Sequence, residues 1–141
     1  MAPLALLCLL PARPPAAPPP CAKEGECASK ECNGLGIRYG TYCGVGHTGC
    51  AGVKPCDNYD ACCQQHDDCV GVESVASAAC HNQLSRCLNA ALGASEKSFL
   101  SEDSAEYARC SPQIIVHGMS SGMQAAGLFS MFIGYLRAWG R

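Results

Sequence analysis

The chain has 141 residues, 13 of them cysteine, with 16% charged residues and a formal net charge of −2, which is the length of one ordinary domain. This cysteine content is typical of a disulfide scaffold made in an oxidising compartment. The alternative of a zinc cluster usually uses paired CxxC motifs, and the sequence contains none. The charge balance excludes a strongly basic surface, so we do not expect nucleic acid as a partner.

The first twenty residues combine a short apolar run, "APLALLCLLPA", with a proline-rich stretch. The run is too short to span a membrane and lies where a secretory signal peptide belongs. We therefore expect residues 1–20 to direct secretion and residues 21–141 to form the mature domain. Removing Cys8 and Arg13 with this segment leaves twelve cysteines, enough for six bridges, and nine basic against twelve acidic residues, a net charge of −3.

Residues 21–56 carry glycine, lysine and cysteine without helical or strand periodicity, which predicts a disulfide-bridged loop with one short turn of helix. Within it, residues 39–50 read "YGTYCGVGHTGC", with four glycines and no carboxylate. Glycine allows backbone carbonyls to turn inward toward a common point. Such a loop can offer oxygen ligands without acidic side chains.

Two strong helices are predicted next. The first covers residues 55–73, "PCDNYDACCQQHDDCVGVE", with Asp57 at the N-cap position and Asp60 three residues later, close to a capping box. The second covers residues 77–93, "SAACHNQLSRCLNAALG", and ends at Gly93, as helices commonly end at glycine.

The C-terminal third predicts two further helices. Residues 95–110 favour a weaker, more exposed helix, and residues 113–139 favour an apolar helix whose single charge is Arg137. The 18 uncharged residues 119–136 lie at the lower limit for a membrane span, and their glycines, serines and glutamine disfavour spanning. We expect a buried or interfacial helix, with Arg137 and Trp139 near a lipid surface.

Cysteine spacing predicts how the two strong helices pair. Cys62 and Cys69 are seven residues apart and share one face of the first helix, and Cys80 and Cys87 do the same on the second. A short connection makes the helices antiparallel. Cys69 then meets Cys80, and Cys62 meets Cys87.

His66 lies between the two bridging cysteines of the first helix. On this seam it should face the second helix near Gln83, within reach of residues 81–85. A histidine that only fills the core is the plain alternative. Asp67, however, projects from a different face toward residues 39–50. Calcium takes six to eight oxygen ligands, including carbonyls, carboxylates and waters, so the loop and Asp67 predict a calcium site.

The joint pattern "YGTYCGVGHTGC…PCDNYDACCQQHDDC" resembles the calcium loop and active-site helix of the secreted phospholipase A2 family. The cysteines of "GCAGVKPC" and the short link between the helices resemble its plant branch. The resemblance is close from Tyr39 to Cys87. Beyond Cys87 the tail is similar only in its general character. It implies a mainly α, small disulfide-rich fold over residues 21–141, with a calcium loop, two antiparallel bridged helices and C-terminal helices.

The resemblance also implies a site. Ca²⁺ is the cofactor, held by the carbonyls of Tyr42, Gly44 and Gly46 and by the carboxylate of Asp67. His66 matches the position of the family's catalytic general base. The backbone N–H of Gly44 matches a group that donates a hydrogen bond to the oxyanion.

This sequence departs from the family pattern at one position of the site. Animal members carry an aspartate that orients the catalytic histidine, and the matching residue here is His81. A neutral imidazole can accept a hydrogen bond from His66, but it stabilises an imidazolium less than a carboxylate does. Asn82 and Ser85 are lesser candidates for the orienting role.

Four disulfides follow from the resemblance, the second and third agreeing with the helix spacing: Cys43–Cys63, Cys62–Cys87, Cys69–Cys80 and Cys50–Cys56. Four cysteines are left, and their three possible pairings are not distinguished by the sequence: Cys21, Cys27, Cys32 and Cys110. A zinc site is a further alternative for one set of residues: Cys62, Cys63, His66 and Cys69. His47 and His117 are expected at the surface.

The activity that the resemblance implies is calcium-dependent hydrolysis of the sn-2 ester of glycerophospholipids by a secreted monomer acting on a phospholipid membrane surface. The alternative is a non-catalytic secreted lipid-binding or ligand protein on the same scaffold. A lipid-transfer protein usually has a CxC element, which this sequence lacks. A catalytically silent relative typically loses His66 or Asp67, and both are present, which favours the enzyme.

Overall fold

A computed structural model describes residues 27–30, 32, 36–44 and 52–139. Their elements, in chain order, are β1 (Ala28–Lys30), β2 (Arg38–Gly40), α1 (Asn58–Val72), α2 (Ala78–Gly93), α3 (Ala105–Arg109) and α4 (Pro112–Trp139). The predicted mainly helical fold is confirmed. The predictions for several positions fall outside the described residues: the segment 1–20, Cys21, Gly46, His47 and Cys50.

The prediction of an irregular loop before the first helix is wrong in part, because β1 and β2 form a two-stranded antiparallel sheet. Ala28 lies opposite Gly40, and Lys30 lies opposite Arg38. Strands of three residues are too short to show the alternation by which strands are recognised. At the end of β2, Gly40 has φ +66, a backbone conformation that favours glycine, and the chain turns there into the loop.

Both strong helices begin and end close to the predicted residues. The side chain of Asp57 caps α1 by accepting a hydrogen bond from the backbone N–H of Asp60 at 2.9 Å. The side chain of Ser77 caps α2 in the same way, accepting from the N–H of Cys80, and Gly93 is the last residue of α2. The reciprocal half of a capping box is replaced, because the carboxylate of Asp60 accepts hydrogen bonds from the loop instead.

The core lies where α1 packs on α2 and α2 packs on α4. Its largest fully buried apolar side chains come from β2 and from three helices: Tyr39, Tyr59, Leu84, Leu88 and Ile115. Two polar side chains, Asp60 and His81, are buried with them, and each faces a region that the sequence singled out. The core therefore encloses parts of the site as well as apolar groups.

Five disulfides join the described residues, and three of them have the predicted partners: Cys43–Cys63, Cys62–Cys87 and Cys69–Cys80. The antiparallel register of α1 and α2 that the spacing predicted is therefore present. Cys62 and Cys63 are adjacent but lie on different faces of α1. One bridge ties the helix to α2 and the other ties it to the loop.

The predicted Cys50–Cys56 bridge is wrong, because Cys56 is bonded to Cys27. The sheet explains this partner. The pairing of β1 with β2 carries Cys27 to the level of Thr41, and the hydroxyl of Thr41 lies 3.4 Å from the sulfur of Cys56. The remaining bridge, Cys32–Cys110, is one of the pairings that the sequence allowed.

The weak helix predicted over residues 95–110 is formed only at its end, as α3, after an N-cap at Ser104. The preceding segment hydrogen-bonds instead with the start of α1. The N–H of Phe99 donates to Asp57 at 2.9 Å, and the hydroxyl of Tyr59 donates to the carbonyl of Glu96 at 2.9 Å. These contacts take backbone groups that a longer helix would need.

Helix α4 is the long apolar element that the sequence predicted. The Cys32–Cys110 bridge lies just before its first residue, and Ile115 and Val116 are buried in the core. Within the part of the chain that is described, no helix combines the length and apolar character needed to cross a membrane.

Candidate active site

The seam between α1 and α2 brings two imidazoles together. Nε2 of His66 lies 3.0 Å from Nδ1 of His81, and the ring centroids are 5.2 Å apart. His81 is only 7% exposed. The helix arithmetic centred the contact on Gln83, which is instead exposed. The cysteine spacing predicts the relative position of the two helices to within one turn. The directions of the side chains then determine that His81, and not Gln83, contacts His66.

The hydrogen bond between the rings determines which nitrogen of His66 can act as a base. One of the two facing nitrogens must carry the proton, and the tautomer follows from the assigned role. When Nε2–H of His66 donates to Nδ1 of His81, the lone pair of His66 is at Nδ1. That atom lies 3.9 Å from Oδ1 of Asp67. The arrangement can thus direct a basic nitrogen to the side of the ring where Asp67 lies.

The surroundings keep His66 uncharged near neutral pH. Burial lowers the pKa of His66 because it removes water from the charged form, and the neighbouring His81 lowers it further. The contact with Asp67 is therefore between a neutral ring and a carboxyl group, not an ion pair. A neutral imidazole is the form that can accept a proton from water.

Asp67 has the environment of a carboxylate prepared for a cation. Its Oδ2 is buried and has no hydrogen-bond partner within the described part of the chain. Burial, followed by the nearby charges of Asp68 and Asp60, raises the pKa of Asp67 to about 7. A buried polar atom without a partner is costly, and a bound cation would remove that cost.

The loop residues assigned to the metal lie beside α1 as far as the structure describes them. Tyr42 is buried, and its hydroxyl donates to the carbonyl of Val53 and accepts from Nε2 of Gln64 at 3.1 Å. Gly44 has φ +145, a conformation that side chains rarely allow, so glycine is required there. The bridge Cys43–Cys63, with Cα atoms 5.1 Å apart, fastens this loop to α1.

The structure adds one residue that the sequence analysis assigned only to helix capping. Asp60 is fully buried, and its carboxylate accepts hydrogen bonds from the backbone N–H groups of Thr41, Tyr42 and Cys56 at 2.9, 2.8 and 2.9 Å. The signal was present, because Asp60 lies seven residues before Asp67 and shares its face of α1. The contact with the loop that was predicted for Asp67 is observed for Asp60 on the same face.

The buried carboxylate of Asp67 is of the ligand type that a hard cation prefers. A carboxylate with backbone carbonyls from a glycine-containing loop is a typical calcium environment. Over residues 27–30, 32, 36–44 and 52–139, no group of three or more histidine, cysteine, aspartate or glutamate side chains could hold a metal ion. The cysteines considered for zinc are in disulfides.

The fold and the site define a class of protein: a small, disulfide-bridged helical protein in which a histidine pair lies beside a buried carboxylate, with a glycine-containing loop fastened to the same helix. No protein-family model matches the chain. It is 41% identical over 107 residues to phospholipase A2-gamma of Arabidopsis thaliana, covering 76% of this chain and 57% of that protein. It is 38% identical over 104 residues to phospholipase A2-beta of the same plant, covering 74% and 70%.

The fold leads to the same relatives. A solved structure of rice (Oryza sativa) phospholipase A2, in its orthorhombic crystal form, is similar with a TM-score of 0.63 and 25% identity. The similarity covers 80% of this chain and 97% of that one. The chain belongs to the phospholipase A2 family, in its plant-type branch. It spans 57% of the length of the gamma relative from Arabidopsis.

Proposed function

We propose that the protein is a calcium-dependent phospholipase A2 that hydrolyses the sn-2 ester of glycerophospholipids, releasing a free fatty acid and a lysophospholipid. One observation carries this proposal. Nε2 of His66 is hydrogen-bonded to His81, Nδ1 of His66 is 3.9 Å from Asp67, and the second oxygen of Asp67 is buried with no hydrogen-bond partner among the described residues. A neutral base and a carboxylate suited to a cation thus lie side by side.

His66 acts as the general base. Its Nδ1 takes a proton from a water molecule, and that water attacks the ester carbonyl directly, so no serine nucleophile is needed. Nε2–H donates to Nδ1 of His81, which keeps the ring of His66 in its orientation and fixes its tautomer. His81 is therefore a positioning residue, held in place by its burial on α2.

Calcium would be held by the carboxylate of Asp67 and the backbone carbonyls of Tyr42, Gly44 and Gly46. When bound, the ion supplies positive charge that polarises the ester carbonyl and binds the substrate phosphate. The backbone N–H of Gly44 donates to the oxygen on which negative charge develops. The buried Oδ2 of Asp67 supports this assignment, since it accepts no hydrogen bond from the described residues and a cation would satisfy it.

The proposed partner is a phospholipid membrane surface, approached by a secreted monomer. Ten described cysteines in five bridges support maturation in an oxidising compartment. Calcium would also explain how a chain with net negative charge accepts an anionic lipid.

Release of labelled fatty acid from the sn-2 position of phosphatidylcholine vesicles tests the proposal, with calcium and with excess chelator. The wild-type protein should release label only with calcium. His66→Ala should release little, and the exposed neighbour substitution Asn82→Ala should behave as wild type. Vesicle binding by the wild type without any release would instead support the non-catalytic lipid-binding alternative.

A further inference from the structure

Asp60 makes contacts that connect the catalytic helix to the loop. Its two carboxylate oxygens accept three backbone N–H groups, from Thr41, Tyr42 and Cys56. The side chain is completely buried. Burying a carboxylate is costly unless hydrogen bonds replace those it made to water, and three amide donors do so here.

The packing around this carboxylate leaves no spare room. A Cβ added to Gly40 would lie 2.2 Å from Cγ of Asp60 and 2.4 and 2.5 Å from its two oxygens. Gly40 also has φ +66, which favours glycine independently of the contact. The end of β2 therefore closes over Asp60, and the carboxylate cannot move without displacing the backbone at the start of the loop.

The same contacts fix the direction of the Tyr42 carbonyl. The N–H of Tyr42 is held by Asp60 at 2.8 Å, and the N–H of Cys43 donates to the carbonyl of Tyr39 at 3.1 Å. The Tyr42 carbonyl belongs to the same planar peptide unit as the Cys43 N–H and points the opposite way. With both peptide units around Tyr42 held, its carbonyl cannot rotate freely.

Helix capping does not explain Asp60. Asp57 already caps α1 and also bonds the hydroxyl of Tyr39 and the N–H of Phe99. The carboxylate of Asp60 instead accepts hydrogen bonds from the segment before the helix. It lies about one and a half helical turns before His66.

We propose that Asp60 is a positioning residue that preorganises the loop for calcium, holding the Tyr42 carbonyl in the orientation in which it binds the ion. This inference rests on the calcium site of the proposed function. Groups that orient metal ligands without touching the metal typically change metal affinity about 10–100-fold when mutated. Asp60 is expected to act in this range, although it contacts neither the metal nor the substrate.

Calcium titration by calorimetry at pH 8 tests the inference on the whole oxidised chain. Asp60→Asn keeps the size of the side chain but places an amide donor against backbone N–H groups, so the calcium dissociation constant should rise about 10–100-fold. Gly40→Ala should produce a similar loss from the opposite side, with the charge of Asp60 intact.

Two controls separate positioning from general stability. Leu88→Ala creates a cavity in the core on α2, a helix that supplies no ligand to the proposed calcium site, and Asp57→Asn makes the same chemical change at the helix cap. Both should lower the melting temperature and leave the calcium dissociation constant within about twofold of the wild type, a margin smaller than the 10–100-fold expected for a lost metal-orienting group. If calcium affinity instead follows melting temperature across all four variants, Asp60 is only a structural residue and the inference is wrong.

Amide exchange in calcium-free wild-type protein gives a readout that needs neither a variant nor the metal. The N–H groups of Thr41 and Tyr42 should be protected to the same degree as that of Cys43, whose partner is a backbone carbonyl. Rapid exchange at Thr41 and Tyr42 alone would contradict the inference. Absence of calcium binding by the wild type would contradict the proposed function, and the exchange experiment would still decide whether Asp60 holds the loop.

Discussion

The seam between α1 and α2 and the loop in front of α1 are built in opposite ways. At the seam, two disulfides hold the backbones together, and the side chains of His66 and His81 meet between them. In the loop, the proposed chemistry belongs to backbone carbonyls, and the side chain of Asp60 holds the backbone. At the seam, the bridged helix backbones hold the two histidine side chains in position. In the loop, the proposed ligands are backbone carbonyls, and the side chain of Asp60 holds that backbone in position.

The largest expected effect separates the two regions by function. His66→Ala should lower kcat/KM for vesicle hydrolysis by about 10²–10⁴-fold, the usual contribution of a general base, and leave calcium affinity unchanged. Asp67→Asn should remove calcium binding and activity together. Calorimetry and fatty-acid release on both variants make the comparison. Loss of calcium affinity in His66→Ala would show that the regions are not separable in this way.

The second prediction concerns the bridge that the sequence did not predict. Cys27 and Cys56 tie the strand β1 to the loop, and replacing both with serine should cost about 2–4 kcal/mol of stability in denaturant titration. Peptide mapping of the non-reduced protein should recover Cys27 linked to Cys56. Recovery of Cys50 linked to Cys56 would contradict the position of β1 beside the loop.

A third prediction uses the raised pKa of Asp67, about 7. Calcium binds the ionised carboxylate, so binding must displace a proton whenever the pH is below that pKa. Affinity should be constant above pH 7 and fall about tenfold for each pH unit below it. Calorimetry in buffers of different ionisation enthalpy should detect one proton released per calcium at pH 6 and none at pH 8.5. Equal proton release at both values would contradict a raised pKa.

The smallest expected effect tests His81. Because burial and then His81 lower the pKa of His66, the acid limb of kcat/KM should lie below the ordinary histidine value near 6.5. At saturating calcium, His81→Ala removes the second cause and should move that limb to higher pH. His81→Asp should move it further, because a carboxylate favours protonated His66. Asn82→Ala is the matched control. Identical acid limbs in all four proteins would mean that His81 does not influence His66.

The difference between the regions also explains which features could be predicted from the sequence. Seven-residue spacings on two helices are a local, periodic signal, so Cys62–Cys87 and Cys69–Cys80 were predictable, and His66 lay between them. Strands β1 and β2 have three residues each, which is too short to give a periodic signal in the sequence. Without it, the resemblance to the plant branch paired Cys56 with Cys50 instead of Cys27.

Asp60 shows a different limit of the sequence. Asp60 lies three residues after Asp57, which matches a capping box, so helix capping was a sufficient explanation of this aspartate in the sequence. Its three N–H donors are backbone groups from residues up to 19 positions away, and backbone groups carry no residue identity to recognise. Only the shared helix face with Asp67 pointed toward the loop.

The adjacent cysteines Cys62 and Cys63 make the proposed activity conditional on where the chain is. Their bridges run in different directions, one to the helix that supplies His81 and one to the loop beside Tyr42. In a reducing cytosol both bridges are open, so the helix that carries His66 and Asp67 is fastened neither to the helix of His81 nor to the loop carbonyls proposed as calcium ligands. Without these bridges the proposed site would not be assembled, so disulfide formation would be the step that activates the protein.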